Sequence, residues 1–291
     1  MSAHPQEFNP RQVMNRPNVE LLHFSDNKPL NVEYHNHDFY EIYYFISGKV
    51  SCVIEGKNYH LRSGDILLIS NREVHRPLIE LGQIYERIVI WVHPGYIRQI
   101  EQGEIDLTAC FDDSARNHNN LLRPEGETAR AFKRLYERLE KVYGGENYGS
   151  QTLFRAYMTE LLVLLNQTYF DMSGELLPDV SSNEKITDII RYINENLTDD
   201  LSLDELAKRF YISKYHLGRQ FKQNVGFTLH QYVMKKRLMT ARSCLMDGES
   251  VNAAFIQSGF SDYSNFSRSF KAEFGVAPKR YSALLLQGDR Y

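Results

Sequence analysis

The chain has 291 residues, with 34 Lys and Arg against 37 Asp and Glu for a formal charge of −3, and 42% of its residues are hydrophobic. That length and apolar content suit two cores and exclude disorder or low complexity as a description of the whole. The three cysteines, Cys52, Cys110 and Cys244, are far apart and form no CxxC pair, which excludes a disulfide scaffold or zinc finger and suits a reducing cytoplasm.

No apolar run exceeds five residues (Ile42–Ile46, Ile88–Val92, Leu161–Leu165), and the opening MSAHPQEFNP has no hydrophobic core. The expectation is therefore a cytoplasmic chain with neither membrane span nor secretory signal. The charge is unevenly spread. Residues 1–183 sum to −7 and residues 184–291 to +4, while 208–280 alone holds 13 basic against 4 acidic residues. A basic module joined to an acidic one points to a polyanion partner.

In chain order, residues 30–95 read as short strands. VEYHNHDFYEIYYFIS, KVSCVIEGKNYHL, DILLIS and YERIVIWV are rich in β-branched and aromatic residues, with turns at Gly48, Glu55-Gly56-Lys57 and Ser63-Gly64-Asp65. The pattern suggests an antiparallel barrel or sandwich over residues 20–122, with 96–122 polar and unassigned. On a strand, residues 35, 37, 39 and 41 share one face, so His35, His37 and Glu41 would point inward together. With His75 they form a set able to hold a first-row divalent metal. His35-Asn36-His37, Glu41 and Gly48 resemble the first cupin motif, HxHx3Ex6G. Gly64-Asp65 and His75 resemble the second in part, with Ser70 and Arg72 replacing its Pro and Gly, and Pro29 replacing the first motif's leading Gly.

Two helices follow over residues 123–170. Thr128–Tyr143 aligns Ala131 or Phe132, Leu135, Leu139 and Val142, and Gln151–Phe170 aligns Leu153, Tyr157, Leu161, Leu164 or Leu165, and Thr168. They would cover the barrel, form a dimer interface, or do both. Residues 171–183, DMSGELLPDVSSN, lack periodicity and read as a linker.

From 184 to 286 the text is helical, with Gly226, Gly248, Gly259 and Gly275 at C-cap positions and Ser202-Leu203-Asp204-Glu205 fitting a capping box. HLGRQFKQNVG (216–226) repeats as NFSRSFKAEFG (265–275), which aligns Arg219 with Arg268, Phe221 with Phe270, Lys222 with Lys271 and Gly226 with Gly275. Each copy follows a shorter helix (203–210, 250–258) and a tight turn, the signature of a helix-turn-helix. With 217, 221, 266 and 270 buried, Tyr215, Gly218, Arg219 and Lys222, and Tyr263, Ser264, Ser267, Arg268 and Lys271, point away. An arginine there suits guanine and a lysine at the helix edge suits phosphate.

The segment LSLDELAKRFYISKYHLGRQFK through GFSDYSNFSRSFKAEFGVAPKRY resembles the DNA-binding domain of the AraC/XylS family of bacterial transcriptional regulators. The resemblance implies a multidomain fold: an all-β cupin-like barrel followed by two helices, then an all-α double helix-turn-helix joined by a long helix at about Thr228–Met246. It puts base reading on Tyr215, Gly218 and Arg219, and on Tyr263, Ser264, Asn265, Ser267 and Arg268, with Lys214, Lys222 and Lys271 beside them. Gly218 removes a side chain where the family often contacts a base, and Ala254-Phe255 reverses the family's usual large-then-Ala order.

The resemblance also implies that the barrel takes a small-molecule effector, a sugar or related metabolite, near His35, His37, Glu41, His75, Tyr43 and Trp91. Tyr34, Phe39 and Phe45 add aromatic surface, and Asn9–Asn18 would form an arm over the ligand. The same histidines and Glu41 serve equally as metal ligands or as a structural polar cluster. No cofactor is required, and a divalent transition metal is the one candidate. Implied partners are double-stranded promoter DNA, a second copy as homodimer, and RNA polymerase, which places the chain at the bacterial nucleoid. A metal-dependent cupin enzyme, dioxygenase or isomerase, with an appended DNA-binding module is the alternative, and a constitutive DNA-binding protein with a merely dimerising barrel is a third reading.

Overall fold

The computed structural model describes residues 12–27, 32–80, 82–101, 105–172 and 179–287. They fall into two compact units that divide between Ser181 and Ser182.

The first unit is built on β1 (Val19–Asp26), β2 (Tyr40–Ser47), β3 (Val50–Ile54), β4 (Lys57–His60), β5 (Ile66–Ile69), β6 (His75–Ile79), β7 (Tyr85–Val92), β8 (Leu121–Leu122) and β9 (Val180–Ser182). One sheet runs β1-β7-β2-β5-β8 and the other β6-β3-β4-β9. In the first, Ile42 lies opposite both Leu68 and Ile90, so the period of two stacks branched side chains on one face. Glu55 (φ 48°) and Gly56 (φ 78°) close the β3–β4 hairpin; two positive φ values in a two-residue loop match the twist of the strands.

The stretch left unassigned holds α1 (Pro94–Ile100) and α2 (Ala109–Asn117). The two anticipated helices are α3 (Gly126–Val142) and α4 (Ser150–Met172). Phe132, Leu135, Tyr136 and Leu139 of α3, and Met158, Leu161, Leu162 and Leu165 of α4, share one core with Ile42, Leu68 and Ile90 of the first sheet. The helical pair therefore covers the outer face of that sheet within the same unit as the barrel. Leu153, placed by its spacing on the buried face, is 44% exposed; at this end of α4 it is the neighbouring Phe154, with Tyr157, that packs against the core.

The anticipated linker is helical through Met172 and strand-like at Val180–Ser182; its residues 173–178 lie outside the described residues. β1 lies outside the 30–95 stretch read as strands, whereas β6, which begins at His75, falls within it although none of the four strand segments read there covers it. Residues 36–39, read as strand, are irregular, and His35 makes only an isolated bridge to His75. Sequence alternation saw the apolar positions there but not the break before β2.

The second unit consists of α5 (Glu184–Glu195), α6 (Leu203–Arg209), α7 (Lys214–Val225), α8 (Leu229–Met246), α9 (Val251–Gln257), α10 (Tyr263–Phe274) and α11 (Pro278–Gln287). Gly226 and Gly275 are left-handed C-caps of α7 and α10, the conformation that favours glycine. Ser202 caps α6 through the Glu205 N–H at 3.3 Å. The full reciprocal capping box sits instead at Thr228 and Gln231, where α8 begins; at Ser202 the backbone N–H goes to Asp200.

Candidate DNA-reading surface and effector cavity

Helices α6–α7 and α9–α10 each form a short helix, a turn and a second helix. Leu217, Phe221 and Val225 bury one face of α7, and Phe266 and Phe270 one face of α10. Lys214, Tyr215, Arg219 and Lys222 are exposed on α7, and Tyr263, Ser264, Asn265, Arg268 and Lys271 on α10, while Gly218 and Ser267 are half-buried. The two half-buried residues occupy the same repeat position. A Cβ on Gly218 would meet only Leu203 Cδ2, at 3.9 Å, so this position turns partly toward α6 rather than fully outward. Lys214 pairs with Asp204, and Arg268 Nε donates to the Ser264 carbonyl at 3.3 Å.

Before their turns the repeats align at an offset of 48, because the second turn is one residue longer. Leu206 and Ala207 thus correspond to Ala254 and Phe255. Ala254 is fully buried, and the Phe255 ring lies 5.6 Å from Phe266 and 5.5 Å from Tyr263. The large and small residues have exchanged places, and the Phe255 ring fills the space beside the start of α10. At the equivalent turn positions Tyr211 and Gly259, φ is +51° and +77°. A Cβ on Gly259 would stand 2.1 Å from the Leu197 carbonyl oxygen, so only glycine fits there.

In the first unit a cavity of about 70 Å³ opens between the two sheets. Alternate residues of β7, Tyr85, Arg87, Val89 and Trp91, form one wall, with Glu41 and Tyr43 of β2, Cys52 of β3, Ile69 of β5, and His75 and Pro77 of β6 around them. Gln12, Phe24, Val32 and His35 complete the lining. His37 is buried behind it, stacked on Phe39 with centroids 4.0 Å apart. Tyr34 lies 5.5 Å from the Arg76 guanidinium and Phe45 is in the core, so neither lines the cavity. Of the anticipated arm, residues 9–11 lie outside the described residues; Gln12 reaches the cavity, and the Arg16 N–H donates to Glu20 at 2.7 Å.

The polar end of the cavity has an unusual hydrogen-bond pattern. Nδ1 faces a backbone carbonyl in all three imidazoles: His35 with Glu33 at 2.9 Å, His37 with Phe39 at 2.8 Å and His75 with Glu73 at 3.4 Å. With those protons on Nδ1, each Nε2 presents a lone pair. The His75 Nε2 is buried and has no hydrogen-bond partner among the described residues. The His37 Nε2 lies 3.1 Å from Glu41 Oε2, which also accepts from Trp91 Nε1 at 3.0 Å. Two acceptors in contact require a proton or a cation between them. His37, Glu41 and His75 offer donor atoms within 4.8 Å of one another, while His35 stands beside them with its ring 4.2 Å from that of His75.

Burial lowers the His35 pKa to about 4 and pushes His75 well below its ordinary value, with neighbouring His35 and His37 adding to the latter shift; both are neutral near pH 7. At the other end the Tyr43 and Tyr85 hydroxyls are bonded to each other, and burial raises both phenols, Tyr85 to about 12. Arg87 pairs with Asp26 and lies 3.9 Å over the Tyr85 ring and 4.5 Å over Phe24.

Residues 18–165 match the family described as AraC-like ligand binding domain, and residues 206–283 match the helix-turn-helix domain family. The chain belongs to the AraC family of transcriptional regulators. It is 26% identical over 254 residues to the HTH-type transcriptional activator RhaS of Escherichia fergusonii, an alignment covering 84% of this chain and 85% of the relative. Its identity to RhaS of Escherichia coli is 24% over 253 residues. Among solved structures, apo ToxT from Vibrio cholerae aligns with 93% of this chain and 99% of its own at 16% identity and a TM-score of 0.38.

The AraC-family chain is thus a regulator with a ligand-binding domain and a DNA-binding domain. Among the described residues no helix is long and apolar enough to cross a membrane. The lining residues missed by sequence reasoning include Tyr85, Arg87 and Val89. The period of two through YERIVIWV carried that signal, because an inward Trp91 forces 89, 87 and 85 inward as well.

Proposed function

We propose that this AraC-family regulator binds promoter DNA through α7 and α10 under the control of a small polar effector, a sugar or related metabolite, held in the barrel cavity. The observation that carries this reading is the cavity itself, where Glu41 and the unpartnered His75 Nε2 lie at one end and the Tyr85 and Arg87 side chains at the other. Ligand hydroxyls would donate to the first pair and accept from the second. At about 70 Å³ the space is below the roughly 300 Å³ or more of ordinary small-molecule pockets. Binding therefore displaces Gln12 or an adjoining wall, which gives the effector a means of favouring one conformation. A thermal-shift screen of neutral and acidic sugars on the full chain tests this reading. Stabilisation that is lost in Glu41→Gln supports it, and a screen without any shift contradicts it.

A second reading rests on the contact between His37 and Glu41. The donor set of His37, Glu41 and His75, with His35 adjacent, fits a first-row divalent metal, since neutral imidazoles and one carboxylate suit such ions. Their Nδ1 contacts to backbone carbonyls would orient the rings for ligation. A bound metal would supply a Lewis-acidic point for effector oxygens. Elemental analysis of the purified chain, compared with His75→Ala, separates this reading from a proton shared by His37 and Glu41.

A homodimer would use the outward face of α4, where Leu153 and Phe170 are 44% and 48% exposed. By analogy with the transcriptional activator RhaS, the DNA-bound chain would raise transcription, with RNA polymerase as the further partner.

A further inference from the structure

We propose that Asp179–Ser182 form a releasable strap docked along β4, and that its release lengthens the tether carrying the DNA-binding unit. This goes beyond the effector reading and does not depend on it.

The docking site is preformed. Arg123, just after β8, donates through Nε and Nη2 to the Asp65 carboxylate at 2.8 Å each, and Asp65 is 1% exposed and also accepts the Arg62 N–H at 2.8 Å. This two-pronged pair fixes the guanidinium plane and leaves Nη1 aimed at the strap, where it meets Asp179 at 2.6 Å. Arg62 reaches the same carboxylate at 2.5 Å. β9 is a hydrogen-bonded neighbour of β4, the His60 N–H donates to the Asp179 carbonyl at 3.0 Å at the start of the strap, and Val180 packs half-buried against the cavity-side core.

The strap's own hold is slight. β9 has three residues, and Ser181 and Ser182 are exposed. The Arg62 side chain is 60% exposed, and ion pairs at such positions are screened and contribute little each. Detachment breaks nothing between Arg123 and Asp65, so the site survives to receive the strap again.

Docking changes how far the DNA-binding unit can travel. With β9 in place, Asn183 alone separates it from α5; once it is released, the whole of 173–183 separates α4 from α5. Those positions span roughly 36–40 Å when extended, comparable to the roughly 34 Å between successive major-groove turns. Release therefore opens to the unit positions that the docked state, with Asn183 alone as tether, does not allow.

Two adjacent amides read the strap separately. The His60 N–H is bonded to the strap, whereas the Leu61 N–H donates to Val50 within the barrel at 3.1 Å. Hydrogen exchange by NMR on the full chain compares wild type with Asp179→Asn, which keeps size and removes charge. The His60 amide is expected to exchange at least about tenfold faster in the variant with Leu61 unchanged. Raising salt from about 0.05 M to about 0.5 M should accelerate His60 in wild type but not in Asp179→Asn. Backbone ¹⁵N relaxation should show α5–α11 reorienting more independently in the variant. An unchanged His60 rate overturns the proposal. So does acceleration of Leu61 in step with His60, which means that the barrel edge frays as a whole, or identical relaxation of α5–α11 in the two proteins.

Discussion

The Trp91 indole N–H donates to Glu41 Oε2 at 3.0 Å, so the chain's one tryptophan is bonded to the carboxylate at the polar end of the cavity. Whatever enters that cavity changes the indole's surroundings. Trp91 emission is expected to shift on addition of an effector, and a paramagnetic ion such as Mn²⁺ or Ni²⁺ bound at His37, Glu41 and His75 should quench it. Fluorescence titration checks this, with His75→Ala abolishing the metal response. Emission that stays constant through a ligand-induced thermal shift would show that the ligand binds elsewhere.

Arg219→Ala and Arg268→Ala are each expected to cost about 1–3 kcal/mol of sequence-specific binding, the value of a bidentate contact to guanine. Lys222→Ala should weaken binding to all duplexes alike and reduce the salt slope by about one counterion. Fluorescence anisotropy at several salt concentrations separates the two behaviours.

The two glycines should respond in opposite directions. Gly218 lies in the middle of α7 with its nearest would-be Cβ neighbour at 3.9 Å, so Gly218→Ala gains about 0.5–1 kcal/mol of stability. Gly259→Ala must place a methyl against the Leu197 carbonyl at a φ of +77°, and the loss should be about 2 kcal/mol or more. Thermal unfolding of the full chain, followed by helical circular dichroism, gives both signs.

Cys52, Cys110 and Cys244 are all buried and form no disulfide among the described residues, and burial raises the pKa of Cys52 and Cys110. A thiol reagent at pH 8 should find none of them in the native chain within minutes, and all three once it is unfolded. Rapid native labelling of Cys52 would mean that the cavity opens freely.

The helical half was highly legible in the sequence. Helix periodicity and the Arg219/Arg268 repeat depend on local spacing; α8 begins at Thr228 and α7 and α10 end at Gly226 and Gly275, as read from the sequence. The barrel was legible in part. His35, His37, Glu41 and His75 do come together, but not by sharing a strand face. His35 is held by its bridge to His75, a contact forty residues away in sequence that no local pattern encodes. β9 was equally hidden, because Val180–Ser182 become a strand only at the edge of β4 and Asp179 is held there by Arg123, both distant along the chain.

Selection of bound duplexes from random DNA by the full chain, followed by sequencing, reads both recognition helices at once. Two enriched motifs one helical turn, about 10 base pairs, apart are expected, with Arg219→Ala relaxing one and Arg268→Ala relaxing the other. Recovery of the same undiminished motifs with both variants would contradict base reading by α7 and α10.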